Sequence, residues 1–145
     1  LAYIVSREQG RGNVLVFAKN SHLKRGKVQW GNETVIWWPV GSHLHEMFGR
    51  RYAVIGSAVG SSPANGIGQP EAGTLEARFT SAPGPVRFIP THQGQGLPTE
   101  EMAALPIRSG SKKNGSYEPL NSQSFTDFDW FAVLDTTAYN GWGHF

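Results

Sequence analysis

The sequence predicts a three-layer α/β fold, with a parallel or mixed sheet, flanking helices and long Gly/Pro-rich loops. Three observations carry that prediction. Short apolar runs rich in strand formers recur at Val14-Leu15-Val16-Phe17, Tyr52 to Val59, Val86 to Ile89 and Trp130 to Leu134, as strands buried on both faces do. Between the first two runs, Val40, Leu44 and Phe48 fall at helical spacing, which makes a strand–helix–strand unit and favours parallel pairing. The 145 residues include 18 Gly and 9 Pro, so loops occupy much of the chain.

Taken in order, Leu1 to Gln9 reads as the end of a helix. The first strand, Val14–Phe17, follows Gly10, Gly12 and Asn13 and leads into Lys19-Asn20-Ser21-His22. Polar residues just past the carboxyl end of a buried strand occupy the usual place for an α/β site. Gly26 to Asn32 is loop, with Trp30 on the surface or lining a cleft. The helix from Val40 takes Pro39 in its first turn, has Met47 beside its apolar face, and stops at Gly49 with Arg50 and Arg51 near its end. The second strand follows with almost no linker. Gly60 to Gly73 is a long loop, and Thr74 to Phe79 is a short helix or strand. Pro83-Gly84-Pro85 leads into the third strand. Thr99-Glu100-Glu101 caps a helix over Met102 to Leu105 that Pro106 ends. Arg108 to Gln123 is another polar loop, Thr126 to Asp129 approaches the last strand, and Trp130 is expected in the sheet core. The tail carries Trp142, His144 and Phe145.

This length fits one domain, or a portion of a larger protein; Leu rather than Met at position 1 points to a processed chain or a piece of a longer one. A net charge of +2, from 13 Lys+Arg against 11 Asp+Glu, is too small to argue for nucleic acid. The densest basic groups, Lys24-Arg25-Gly26-Lys27 and Lys112-Lys113, sit among turn formers and read as solvated loops. The absence of cysteine removes disulfides, thiolate metal sites and cysteine nucleophiles. No apolar run reaches the ~18 residues of a membrane span, so no membrane partner is expected. No export signal opens the chain, which makes the cytoplasm the expected compartment.

Among chemical constellations, the Lys19–His22 segment comes first. His22 can act as a general base or donate to a developing oxyanion, and Lys19 can supply positive charge; the alternative is a polar turn bonded to local backbone. His43 and His45, two apart on a helix, point ~200° from each other and cannot clamp one ion, so no metal site is expected. Gly56 to Gly60 and Gly66-Ile67-Gly68 lack the order of a phosphate-binding loop, and Ser57, Ser61 and Ser62 lack a nucleophile elbow. No cofactor is expected. Asp135, directly after Val133-Leu134, is a second strand-exit candidate, with local capping of Thr136-Thr137 as the alternative.

From Val14 to His22 the chain resembles the erythromycin esterase family, whose buried strand leads into an Ala-His-Asn-x-His segment. Here that segment stands as Val-Leu-Val-Phe-Ala-Lys19-Asn20-Ser21-His22. Val40-Gly41-Ser42-His43-Leu44 is similar to the family's Met-Gly-x-x-Leu helix start, and Phe48 to Gly56 to its Leu-Gly-aspartate-Tyr-Tyr-x-Val-Gly strand. Phe128-Asp129-Trp130-Phe131-Ala132-Val133 resembles its closing Phe-Asp-Ala-x-x-Val strand. The resemblance implies a hydrolase that opens a macrolide lactone by activating water, a reaction that confers antibiotic resistance, without metal or covalent intermediate. It implies that the chain is the C-terminal portion of such an enzyme, because the family's N-terminal motifs are absent. His22 aligns with the second histidine of the segment, and Lys19 stands where the family has the first. A lysine in water stays cationic and only donates, whereas a neutral imidazole both accepts and donates. The expected site residues are therefore His22 and Lys19 as catalytic groups, with Asn20, Trp30 and Asp135 as contacts for a small-molecule ester. Two other outcomes are kept open. One is a non-catalytic ligand- or protein-binding module on a degenerate hydrolase scaffold, its surface supplied by tryptophans. The other is self-association, or completion by a missing N-terminal segment, through an uncovered sheet edge and helix faces.

Overall fold

The computed structural model describes residues 1–30, 35–82, 84–95, 100–101 and 104–137, and by internal contacts the chain divides into two units, Leu1–Tyr52 and Ala53–Phe145. In the first unit, α1 (Ala2–Arg7) carries Arg7 in its last turn and buries none of its side chains. The strand expected at Val14–Phe17 does not form: the segment is coil, with Leu15 94% and Phe17 100% exposed. An apolar, β-branched run becomes a strand only where another strand offers its ladder, and no described strand pairs with this one. The loop expected at 19–22 instead winds into a single turn, α2 (Asn20–Leu23).

A hairpin replaces the loop expected at 26–32. There β1 (Val28–Trp30) pairs antiparallel with β2 (Val35–Trp37), with Val28 opposite Trp37 and Trp30 opposite Val35. Val28 is buried and Gln29 exposed, the alternation of a half-buried strand, but three residues are too short a run for it to show in sequence. Helix α3 (Val40–Phe48) forms where its apolar spacing places it and ends at Gly49, whose φ of 52° suits glycine alone. Its buried stripe is narrower than expected. Gly41 and Leu44 are buried, whereas Val40 and Met47 are exposed.

In the second unit the sheet order is β3 (Ile55–Ser61), β5 (Trp130–Thr136), β4 (Val86–Pro90). β3 and β5 run parallel with Gly56 opposite Phe131; β4 runs antiparallel to β5 with Ile89 opposite the same residue. The sheet is thus mixed, and with its helices the fold is α/β as expected. The second strand starts three residues later than its apolar run, because Tyr52 to Val54 precede the ladder. Helix α4 (Leu75–Thr80) settles the Thr74–Phe79 ambiguity; Thr74 Oγ1 accepts the Ala77 amide at 3.3 Å as its N-cap. Helix α5 (Ser124–Asp127) forms in the approach to β5.

The core of this unit gathers around Phe131. Its ring centroid lies 5.5 Å from Phe79 and from Phe128 and 5.9 Å from Phe125. Phe131 and Val133 are fully buried, so strand alternation turns Trp130 outward and leaves it 44% exposed, against the core position expected. Of the helix expected at 99–105, Glu100 and Glu101 are helical, while Thr99, Met102 and Ala103 lie outside the described residues. So do Trp142, His144 and Phe145. Among the described residues, no helix is long and apolar enough to cross a membrane.

Truncation at the ring cluster should be costly and truncation of the unpaired run should not. Phe131→Ala is expected to lose ~3–5 kcal/mol in denaturant unfolding. Leu15→Ser should stay within ~0.5 kcal/mol of the parent, as an exposed coil position does; a larger loss would show that 14–17 is packed after all.

Candidate functional site

Turn α2 carries three of the expected residues. Lys19 is its exposed N-cap, Asn20 begins it and is half-buried, and His22 lies exposed in its last turn. The His22 amide donates to the Lys19 carbonyl at 3.0 Å, and no other described group bonds the His22 side chain. The turn is pinned from behind. Tyr52 donates its hydroxyl to the Leu23 carbonyl at 2.5 Å, and Ser42 Oγ donates to the Arg25 carbonyl at 2.5 Å. Arg25 donates in return to the Tyr52 carbonyl at 3.3 Å and lies 5.8 Å from the centre of its ring. Gly41 lets the start of α3 sit directly on the backbone of Leu23 and Lys24, where any Cβ would collide with their carbonyl groups. Trp30 lies in β1 rather than in a loop.

Asp135 belongs to the second unit, on β5. Arg87 Nη2 donates to its Oδ1 at 2.5 Å, with the arginine side chain 10% and the aspartate 41% exposed. Arg87 Nε also donates to the Ala82 carbonyl at 2.7 Å. Asp129, just before the strand begins, serves the architecture. Its Oδ2 accepts the Val54 amide at 2.8 Å and its Oδ1 the Gln93 side-chain amide at 3.1 Å. That staples the start of β3 to the end of β4 through the residue that leads into β5. The structure therefore brings Lys19, Asn20 and His22 onto one turn and places Asp135 in the other unit. Both His43 and His45 are exposed on α3, and no group of three metal-binding side chains occurs among the described residues.

Sequence reasoning missed a buried polar network in the second unit. Arg108, 4% exposed inside the supposed polar loop, donates to the carbonyls of Val59 at 2.6 Å, Gly60 at 2.5 Å and Gly68. Its Nη1 also reaches the Tyr117 hydroxyl at 3.0 Å, and Tyr117 donates to Glu76 Oε1 at 3.2 Å. Glu76, 1% exposed, takes the Leu120 amide at 2.9 Å on the same oxygen, while its Oε2 has no partner among the described residues. Burial, and then the negative charge of Glu76, push the Tyr117 hydroxyl up from 10.0 to about 12. The network backs the carboxyl ends of the parallel strands, the region where α/β proteins bind ligands. There Ser61 Oγ meets Thr136 Oγ1 at 3.1 Å, and a cavity of about 430 Å³ opens between Ser61, Pro63, Ile67 and Gln69. The one local signal was apolar company: Arg108 follows Pro106-Ile107, and Glu76 follows Leu75.

The erythromycin esterase family model matches residues 1–137. The chain belongs to the erythromycin esterase family. In this chain Gly41, Ser42 and Tyr52 hold α2 in place, and Phe128-Asp129 closes the sheet. Among solved structures, the crystal structure of a Bacillus cereus protein is similar, with a TM-score of 0.52 and 14% identity over 81% of this chain and 32% of that one. That likeness shows the fold; the chain spans about a third of the length of the solved protein it matches. No curated protein matches.

Two expected outcomes test the geometry. Gly41→Ala should cost ~1–3 kcal/mol through overpacking, and Tyr52→Phe ~1 kcal/mol through loss of one hydrogen bond, both read by urea titration; a neutral Gly41→Ala would refute the close approach. Tyr117 gives the pH dependence. The folded state holds its proton more tightly than the unfolded chain, so that contribution is complete below pH 10.0 and is lost as pH rises towards about 12. Tyr117→Phe should remove this alkaline loss, measured as stability at neutral and alkaline pH.

Proposed function

We propose that the chain is the C-terminal portion of an erythromycin-esterase-like hydrolase of the cytoplasm. The whole enzyme opens a macrolactone or related ester by direct attack of water. The observation that carries this reading is the family match over residues 1–137. His22 is the catalytic group this portion contributes. Its neutral imidazole takes the proton from water as the oxygen attacks the ester carbon, or holds the oxyanion that forms. Lys19, three residues before it, donates to that oxyanion and cannot serve as base while solvated. Asn20 and Trp30, in the same unit as His22, are the proposed contacts for the ester. His22 and Lys19 are both exposed, and in water such groups stabilise developing charge only weakly. Efficient chemistry therefore requires a further segment to close over them.

A non-catalytic binding module is the second reading. It is favoured by Lys19 in place of a histidine and by Trp38, 56% exposed with the Lys27 ammonium 4.9 Å from its ring centre.

The 145-residue chain alone is expected to hydrolyse neither a macrolide nor a simple aryl ester above the buffer rate. Combined with the N-terminal half of a family esterase, it should gain hydrolysis that His22→Ala abolishes. Robust His22-dependent turnover by the chain alone overturns its incompleteness, and turnover indifferent to His22→Ala overturns the role of His22. A tryptophan-fluorescence response to macrolide with no hydrolysis in either format favours the binding module.

A further inference from the structure

The mixed sheet of the second unit packs one face on the rings around Phe131 and turns the other outward. The register arranges the outward positions in rows: Ile55, Trp130 and Pro90; then Ser57, Ala132 and Phe88; then Val59, Leu134 and Val86. Eight of these nine residues are apolar and none is charged. Ile55 is 57%, Phe88 61%, Val86 50% and Trp130 44% exposed. Sheets with parallel pairs are ordinarily covered on both faces, and an uninterrupted apolar patch marks an interaction surface.

We propose that this face is the seat of a second copy of the same chain, the two sheets packing face to face about a two-fold axis that runs along β5. That operation sets Trp130, Ala132 and Leu134 of β5 each opposite its own copy on the axis. It lays β3 of one copy over β4 of the other, so Phe88, the bulky member of the middle row, meets the low ground of Ser57 and Ala132 of the second copy. In the flanking rows Ile55 meets Pro90 and Val59 meets Val86. The sheets then stand ~10 Å apart, as in aligned β-sandwiches. With no charge on the face, the two copies bring no like charges together. The area suffices as well. Taking whole aromatic side chains at ~150–250 Å², Ile55, Val86, Phe88 and Trp130 together offer on the order of 450 Å² per copy. Doubled, and with Val59, Ala132, Leu134 and Pro90 added, this passes the ~1,000 Å² that a specific interface needs. The proposal does not depend on the hydrolase reading.

Sedimentation equilibrium of the full chain tests it. A dimer is expected at high micromolar concentration, and Phe88→Glu should raise its dissociation constant by ~30-fold or more, the scale of a central interface residue. Phe88 is exposed, so this variant should keep the parent circular dichroism. The chain has no cysteine, so introduced thiols report single positions. Val59→Cys chains mixed with Val86→Cys chains should be joined by a short bis-maleimide. Neither variant alone should link, because like positions are offset sideways by a further two strand spacings, ~10 Å, beyond the reach of a short linker that joins the facing pair. A monomer at high concentration overturns the proposal, as does a dimer that Phe88→Glu leaves intact or one in which each cysteine variant links to itself.

Discussion

The second unit depends on one ring. Phe131 lies on the central strand, pairs with Gly56 on one side and Ile89 on the other, and is fully buried among Phe79, Phe125 and Phe128. Those neighbours come from α4, from α5 and from the segment that leads into β5, so a single contact set fixes both helices on the sheet. Space for it is made by Gly56, where a Cβ would lie 2.9 Å from the Phe128 ring. Because side chains alternate along a strand, burying Phe131 and Val133 turns Trp130, Ala132 and Leu134 the other way. One packing decision thus creates both the core and the open apolar face.

Buried charge sets the second constraint. Arg108 and Glu76 are both almost wholly buried yet do not touch; the Tyr117 hydroxyl stands between them, accepting from one and donating to the other. Taking two such ions out of water costs several kcal/mol each unless their hydrogen bonds are met. Arg108 meets that cost with three carbonyls at the end of β3 and at Gly68. The same bonds fix the loop after β3 in position over the strand ends. The arginine is therefore the residue that shapes the cavity at Ser61 and Gln69, although it does not line it.

The residues in the segments that resemble the family's motifs fall into two kinds. Gly41, Tyr52, Phe128 and Asp129 each hold the architecture together, through a close approach, a hydrogen bond to a carbonyl, a ring over a glycine and a staple between strands. His22 has no such mechanical role among the described residues, although Gly41 and Tyr52 hold the turn that carries it.

Local pattern by itself determined α3 with its stop at Gly49 and the strands over Val86–Ile89 and Trp130–Leu134, because helical spacing, a glycine stop and unbroken apolar runs are properties of neighbours in sequence. The family was legible in the order of the motifs, and the turn bearing Lys19, Asn20 and His22 in their closeness along the chain. Pairing was not legible. Val14–Phe17 looks as strand-like as Trp130–Leu134, and only the presence of ladder partners separates the coil from the central strand. The hairpin at Val28–Trp37 went unseen for the converse reason, since its short strands exist by virtue of each other. The tertiary structure also decided which face of β5 is inside, that Asp135 is held by Arg87, and that Arg108 and Glu76 are core residues. Each depends on groups 40 or more residues apart in pairs such as Arg87–Asp135 and Glu76–Leu120, and no local pattern encodes a partner at that distance.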